Sequence, residues 1–99
     1  MTRKIRTDYY YYIYDNEKDD MLWYSPSSDN KKTCDQNLLN CIEEARRILY
    51  RNPGADISVC YKATEMCGEF EDGDEWSGTL ANTPEEMDAL EKKIRKNKK

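Results

Sequence analysis

The most regular alternation of apolar and polar residues lies between Asp56 and Ala63. In this segment the odd positions hold Ile, Val, Tyr and Ala, and the even positions between them hold Ser, Cys and Lys. A period of two is the pattern of a strand with one buried face. The segment is therefore predicted to be a strand, and whether residues 64 to 71 continue it stays open.

An aromatic run, Tyr9 to Tyr14, contains five tyrosines and one isoleucine in six positions. Aromatic residues favour extended backbone, so residues 4 to 14 are predicted to form a strand with phenol rings on both faces. Residues 21 to 25 are predicted to be its antiparallel partner, joined through the acidic stretch 15 to 20. One face of the aromatic strand can enter a core, and the pattern leaves open which face that is.

Two segments carry apolar residues at spacings of three and four, which predicts amphipathic helices. The first is expected to begin after Thr33, which forms a capping-box pattern with a glutamine three positions later, and to end before Pro53. The second is introduced by Thr83 and Pro84 and runs into a basic, fraying tail at 95–99. The apolar stripe of the first helix consists of Leu38, Cys41, Ile42, Ala45, Ile48 and Leu49.

The dipeptide Asp72-Gly73 is favoured in two-residue hairpin turns, so a turn is predicted there, with the last strand running on to about Leu80. Together the segments predict an α+β fold: a twisted antiparallel sheet of about four strands in ββαββα order, with a helix packed on one face. A chain of 99 residues without a visible linker is expected to form a single domain over 1–99.

Composition argues against catalysis. The chain has no histidine, which removes the commonest general base and the usual activator of serine and cysteine nucleophiles. It also has only four glycines and no glycine-rich phosphate-binding motif, so no nucleotide cofactor is expected. The carboxylates lie mostly on predicted turns, where water can solvate their charges, so their abundance does not require a catalytic role. The protein is predicted not to be an enzyme and to bind no cofactor.

The four cysteines, Cys34, Cys41, Cys60 and Cys67, form two pairs with six residues inside each pair. Structural zinc sites favour two to four residues between paired ligands, because a tight turn must direct both sulfurs at one ion. Free, buried thiols are therefore predicted in preference to a metal site. A Cys60–Cys67 bridge stays open only if a tight turn lies between the two residues.

The net charge of −4 is unevenly distributed, because basic ends flank an acidic region with six carboxylates between positions 65 and 75. Such a cluster can oppose a basic site on a partner protein, or mimic a line of phosphates, although a charged edge that resists aggregation is an alternative. The residues predicted to bind a partner are Glu69, Glu71, Asp72, Asp74 and Glu75 from this cluster, together with Tyr10, Tyr12, Tyr14 and Trp23.

The tyrosines allow two functional interpretations. They can contact a protein, or they can stack on the bases of single-stranded RNA or DNA, beside Arg3, Lys4 and Arg6. Stacking platforms sit in positive grooves, and the acidic stretch 15 to 20 opposes one, so protein contact is favoured over nucleic acid. A homodimer through an exposed tyrosine face is a further alternative.

In size, acidity and tyrosine content the chain resembles the compact inhibitors that phages and mobile elements encode against host defence systems, including anti-restriction and anti-CRISPR proteins. This likeness covers no motif. It implies a small non-enzymatic protein that binds a partner with a basic surface and inhibits by occlusion or nucleic-acid mimicry. No stretch approaches the roughly 20 apolar residues of a bilayer span, so a cytoplasmic location without membrane attachment is expected.

Overall fold

A computed structural model describes residues 6–67 and 70–96, which form an antiparallel sheet and two helices in the order ββαββα. The elements are β1 (Arg6–Asp15), β2 (Asp20–Tyr24), α1 (Lys31–Arg51), β3 (Ile57–Cys67), β4 (Phe70–Ala81) and α2 (Pro84–Lys96). The strands lie in the order β2-β1-β3-β4. The predicted α+β fold with a four-stranded antiparallel sheet is confirmed.

The aromatic run forms most of β1, an interior strand of the sheet. One edge of β1 pairs with β3 along its whole length, from Arg6 opposite Met66 to the last residue of the strand. The other edge pairs first with β2 and then with the segment that follows it, where Tyr9 and Ser28 exchange two backbone hydrogen bonds of 2.8 and 3.0 Å. With both edges occupied, β1 is held in register on two sides.

Both helices pack on the same face of the sheet and against each other. The shortest dimension of the molecule, 16 Å, fits one sheet covered by one layer of helices. The core between these layers consists of Ile13, Leu38, Leu39, Cys41, Ile42, Ala45, Ile57, Val59, Ala81, Met87 and Ile94. All six residues of the predicted stripe of α1 take part: four belong to this core, and Ile48 and Leu49 pack against it.

The cap of α1 differs from the prediction. Asn30 is the N-cap: its side-chain oxygen accepts a hydrogen bond of 3.0 Å from the backbone N–H of Thr33, so Thr33 lies inside the helix. Asn30 has the extended backbone that an N-cap requires, and asparagine caps at least as well as threonine. The end of the helix at Arg51, before Pro53, agrees with the prediction.

The cap of α2 agrees with the prediction. Thr83 Oγ1 accepts a hydrogen bond of 3.1 Å from the backbone N–H of Glu86, and Glu86 Oε1 accepts one of 3.2 Å from the N–H of Thr83. This reciprocal pair is a capping box, and Pro84 occupies the first helical position that follows it.

The predicted turn at Asp72-Gly73 is wrong. Cys67 pairs with Phe70, so the chain has already reversed direction before it reaches Asp72. Residues 72 to 74 instead form an irregularity within β4, where the register against β3 shifts. The preference of the Asp-Gly pair for a turn is a local one, and the extended pairing of β3 with β4 overrides it.

Gly73 serves this irregularity, since its φ of +139° is a backbone conformation that residues with a side chain rarely adopt. A Cβ atom at this position would also lie only 3.0 Å from the Cβ of Glu65 on β3. The carboxylate of Glu65 accepts a hydrogen bond of 3.1 Å from the backbone N–H of Asp74 and so satisfies a donor that the shifted ladder leaves free.

The two helices are joined by one arginine. Arg46 on α1 contacts Asp88 at 2.6 Å and Glu91 at 2.7 Å, and Arg95 also donates to Glu91. Hydrogen bonds from Arg46 and Arg95 lower the pKa of Glu91 below its ordinary value. Among the described residues, neither helix is long and apolar enough to cross a bilayer.

Candidate binding face

The register of the sheet sorts the tyrosines of β1 onto its two faces. Ile13 lies opposite Val59, and Tyr11 lies opposite Tyr61, on the face that the helices cover. Because side chains alternate along a strand, Tyr10, Tyr12 and Tyr14 project from the other face. In the part of the chain that the structure describes, no helix packs on that face.

We call this side of β1 and β2 the open face and define it by Tyr10, Tyr12, Tyr14, Met21 and Tyr24. The hairpin register sets Tyr24 beside Tyr12 and Met21 beside Tyr14. The rings of Tyr10 and Tyr12 lie 5.9 Å apart between centroids, tilted by 43°, which suits an aromatic pair. The side chains of β2 are the more exposed, with Tyr24 at 68 % and Met21 at 41 %.

Tyr10 lines three shallow hollows, of which two are bordered by other residues of the open face. One, of about 380 Å³, is also bounded by Met21, Tyr24 and Pro26. The other, of about 310 Å³, extends along Tyr12 and Tyr14 toward β4. Aromatic walls of this kind suit contact with apolar side chains of a partner protein.

The β3 and β4 half of the same sheet side is polar and carries both signs of charge. Lys62 lies beside Tyr10 in register and forms an ion pair of 3.5 Å with Glu75 on β4. At the start of β1, Arg6 forms an ion pair of 2.9 Å with Asp8. Both of these cations therefore lie next to a carboxylate, so the pairs leave no excess of positive charge on this side.

A polar layer lies beneath Tyr12. Cys60 lies opposite Tyr12 in the register of β1 and β3, and burial raises the pKa values of both side chains. The Cys60 sulfur also lies 3.9 Å from the Thr79 hydroxyl. A buried thiol with a raised pKa stays protonated and is a weak nucleophile, so Cys60 acts as a packing residue.

None of the four cysteines forms a disulfide; three of them are buried, and Cys67 is the most accessible. Burial raises the pKa of Cys41 to about 12 and also raises the pKa of Cys34, whose sulfur donates to the backbone oxygen of Ser28 at 3.3 Å. Within residues 6–67 and 70–96, no three metal-binding side chains lie close enough together to hold an ion.

Of the other residues predicted to bind a partner, Glu75 joins the three tyrosines, because it borders the same hollow. Trp23 lies opposite Ile13 and packs against the helix-covered core. Glu69 is outside the described residues, and the backbones of Glu71 and Asp72 belong to β4. Asp74 is exposed on β4, and Glu75 combines a 54 % exposed side chain with its ion pair to Lys62.

Tyr24 and Met21 belong to the open face but were absent from the sequence prediction. The predicted hairpin could have indicated both residues, because pairing residues 21 to 25 with the aromatic strand places Met21 and Tyr24 next to its even-numbered tyrosines. The alignment depends on a register shift between Ile13 and Tyr14, and nothing in the sequence indicates that shift.

Comparisons with protein-family models, with curated proteins and with solved structures find no match to this chain. Function is therefore inferred from the chemistry of the protein surface. Its most distinctive part is the open face, where aromatic side chains lie on one side of a sheet whose other side is covered by the two helices.

Proposed function

We propose that this chain is a non-enzymatic protein-interaction module that binds a partner protein through the open face. The observation that carries the proposal is the set of three tyrosines, aligned along one strand, on the side of the sheet opposite both helices. With Met21 and Tyr24 beside them, they form a contiguous aromatic surface. A surface of this kind on a small protein indicates a site of interaction.

Tyrosine suits such a surface for physical reasons. Its ring buries a large apolar area on contact, while its hydroxyl stays hydrated in the free protein or bonds to the partner. It also has few rotatable bonds, so little conformational entropy is lost when it is fixed in an interface. Tyr10, with hollows on two sides, is the expected anchor of the contact.

The acidic residues at the β4 side favour a partner with a basic surface. Asp74 and Glu75 are both exposed, and the protein as a whole carries a charge of −4. Steering by these charges would raise the association rate, while the aromatic residues would supply the contact. Occlusion of a basic site on the partner needs no further chemistry, and the proposed role is that of a phage or mobile-element inhibitor of a host nucleic-acid-handling or defence protein.

The direct experiment compares capture by wild type, by the double variant Tyr10→Ser/Tyr14→Ser and by Tyr50→Ser. Tyr50 is 88 % exposed on α1, away from the open face, so it is a matched control for the loss of an exposed tyrosine. Each protein is immobilised at equal density, exposed to bacterial lysate and analysed by quantitative mass spectrometry. We expect a partner that wild type and Tyr50→Ser retain and the double variant loses. Identical sets of captured proteins would contradict the proposal.

The contribution of the acidic side is tested separately with Asp74→Lys/Glu75→Lys. If the partner is basic, this variant captures less of it, and the wild-type complex weakens as salt rises. Capture that is unaffected by both changes would remove the basic partner and nucleic-acid mimicry from the proposal, and would leave the aromatic contact intact.

A second candidate function is binding of single-stranded RNA or DNA, favoured by the alignment of Tyr10, Tyr12 and Tyr14 on a sheet surface. The ion pairs on that side disfavour nucleic-acid binding, because the cation in each is paired with a carboxylate and phosphate binding depends on an excess of positive charge. Fluorescence anisotropy with labelled single-stranded oligonucleotides at low salt decides between the candidates. Saturable binding that is lost in Tyr10→Ser/Tyr14→Ser would replace protein contact with nucleic-acid binding.

A further inference from the structure

The outer edge of β4 is an unpaired strand edge. In the strand order β2-β1-β3-β4, β4 has a neighbour on one side only, and no described residue pairs with its other side. The edge strand at the opposite end, β2, has only five residues, whereas β4 has twelve. A row of free backbone N–H and C=O groups invites pairing with another strand.

The two halves of β4 differ in how they are protected. The first half contains the Gly73 irregularity and several carboxylates, both of which discourage strand addition. The second half pairs with β3 through five consecutive regular positions, from Glu75 opposite Thr64 to Thr79 opposite Cys60. It contains no proline and no lysine, so the edge from 75 to 79 is regular and accessible.

We propose that a second copy of this chain pairs with this edge, β4 against β4, antiparallel around a two-fold axis at Ser77. This axis sets Ser77 opposite the partner subunit's Ser77, Trp76 opposite the partner's Gly78 and Glu75 opposite the partner's Thr79. The result is a continuous eight-stranded sheet with an isologous interface.

The side chains of this segment complement one another around that axis. Trp76 is 42 % exposed, and it would lie opposite a glycine, where no side chain competes for space. A Cβ atom on Gly78 would lie 2.8 Å from the ring of Tyr61, so the Tyr61 ring already covers that position. Trp76 would thus lie beside the partner subunit's Tyr61 and form an aromatic contact across the interface.

Charge and side-chain fit favour this axis over those nearer the acidic end of the strand. An axis at Asp74 or Glu75 would set identical carboxylates directly opposite each other, which is destabilising. An axis at Trp76 would oppose the two indole rings and lose the match with Gly78. With the axis at Ser77, Asp74 lies opposite the partner's Leu80, so every carboxylate from 74 to 75 lies opposite an uncharged residue.

This dimer goes beyond the proposed function and is compatible with it. A two-fold axis of antiparallel edge pairing runs perpendicular to the sheet, so the open faces of both copies would lie on the same side. One dimer would therefore present two aromatic surfaces to a partner, which raises avidity if the partner is itself symmetric or repeated.

Analytical ultracentrifugation of four proteins tests the proposal. Wild type should sediment as a species of twice the 11.7 kDa chain mass, in a concentration-dependent equilibrium. Ser77→Lys sets two lysines opposite each other and should weaken the dimer by about fivefold. Thr79→Lys adds the same charge on the same strand but sets each lysine opposite the partner's Glu75, so its dimer should be at least as tight as wild type.

The fourth protein, Tyr10→Ser/Tyr14→Ser, should dimerise like wild type, which separates this edge from the open face. Circular dichroism confirms that each variant is folded. The proposal is overturned if the wild type stays monomeric at about 0.5 mM, a concentration far above the dissociation constants of stable homodimers. A dimer that Ser77→Lys leaves unchanged, or that only the tyrosine variant dissociates, overturns it as well.

Discussion

The two faces of β1 differ in what covers them, although neighbouring residues of one aromatic run supply both. Ile13 is completely buried beneath the helices, while Tyr12 and Tyr14 on either side of it project from the uncovered face of the sheet. A single strand thus contributes to the core with one set of residues and to the surface with the other. Substitutions one residue apart on β1 should therefore alter folding and binding separately.

The chemistry of the two sets differs accordingly. On the covered face the fully buried residue is Ile13, whose side chain has no polar atom to satisfy in a dry core, while Tyr11 on the same face is only partly buried. The open face uses tyrosine at all three positions, and each phenol keeps a polar group that can bond to water while the ring is partly covered by its neighbours. The difference between a purely apolar residue and an amphipathic one therefore follows the difference in solvent access.

The largest effect is expected for Ile13→Ala, because it opens a cavity between the sheet and α1. We expect the free energy of unfolding to fall by about 3 kcal/mol, as for other fully buried aliphatic residues truncated to alanine. Urea denaturation followed by circular dichroism measures the change. A loss below about 1 kcal/mol would mean that the helices do not pack on this face as described.

A second substitution, Tyr12→Ala, examines the layer beneath the open face. It removes the ring that lies opposite Cys60, so alkylation of Cys60 should become about tenfold faster while Cys41 stays protected beneath the helices. Iodoacetamide labelling with peptide mass spectrometry measures both rates. Equal acceleration at Cys41 would indicate general unfolding and would contradict the separation of the two faces.

The matched substitutions on the open face, Tyr10→Ser and Tyr14→Ser, should cost less stability than Ile13→Ala. Each removes a partly buried ring that no helix covers, so we expect a loss of about 1 kcal/mol or less. The same denaturation experiment gives the values. If either variant loses as much as Ile13→Ala, the open face is part of a core and its role as a contact surface is contradicted.

The smallest effect concerns the outer side of the helix layer, where Glu91 joins Arg46 and Arg95. The pKa of Glu91 is lowered in the folded protein, so its contribution to stability is present above the pKa of the unfolded chain and is lost as the pH falls through the folded value. In Glu91→Gln we expect a loss of about 0.5 kcal/mol at pH 7 that disappears once the pH has fallen below the folded pKa of Glu91. A difference that persists unchanged at acidic pH would contradict this origin.

Much of the fold could be predicted because its signals are local and periodic. The alternation from Ile57 to Ala63, the apolar stripe of α1 and the capping box at Thr83 each specify one element without information from elsewhere in the chain. The element order then leaves few ways to arrange four strands and two amphipathic helices other than as a sheet with a helix layer.

The sequence-based predictions were wrong where two local signals compete, or where strand pairing determines the backbone conformation. Asn30 and Thr33 can both cap a helix, and the cap forms at Asn30, three residues before the predicted position. The Asp72-Gly73 pair suits a turn, but continued pairing of β4 with β3 turns it into an irregularity with Gly73 at positive φ. The second outcome depends on tertiary pairing, which a single sequence does not display.

The candidate site was predictable only in part, because the tyrosine run looks almost the same on both faces. Ile13 was the one usable clue: as the only aliphatic residue of the run, it indicates that the odd positions enter the core and the even ones do not. The position of Trp23 on the covered face follows from its pairing with Ile13. That pairing requires the hairpin register, which the sequence does not specify.

The separation of the two faces is tested most directly by hydroxyl-radical footprinting of the tyrosines in the native protein, with oxidation read by peptide fragmentation. The account predicts that Tyr10, Tyr14 and Tyr24 are oxidised several times faster than Tyr11, which packs against the core on the covered face. It further predicts that a captured partner protects Tyr10 and Tyr24 and leaves Tyr50 unchanged. Equal oxidation of Tyr10 and Tyr11 in the free protein would contradict the account.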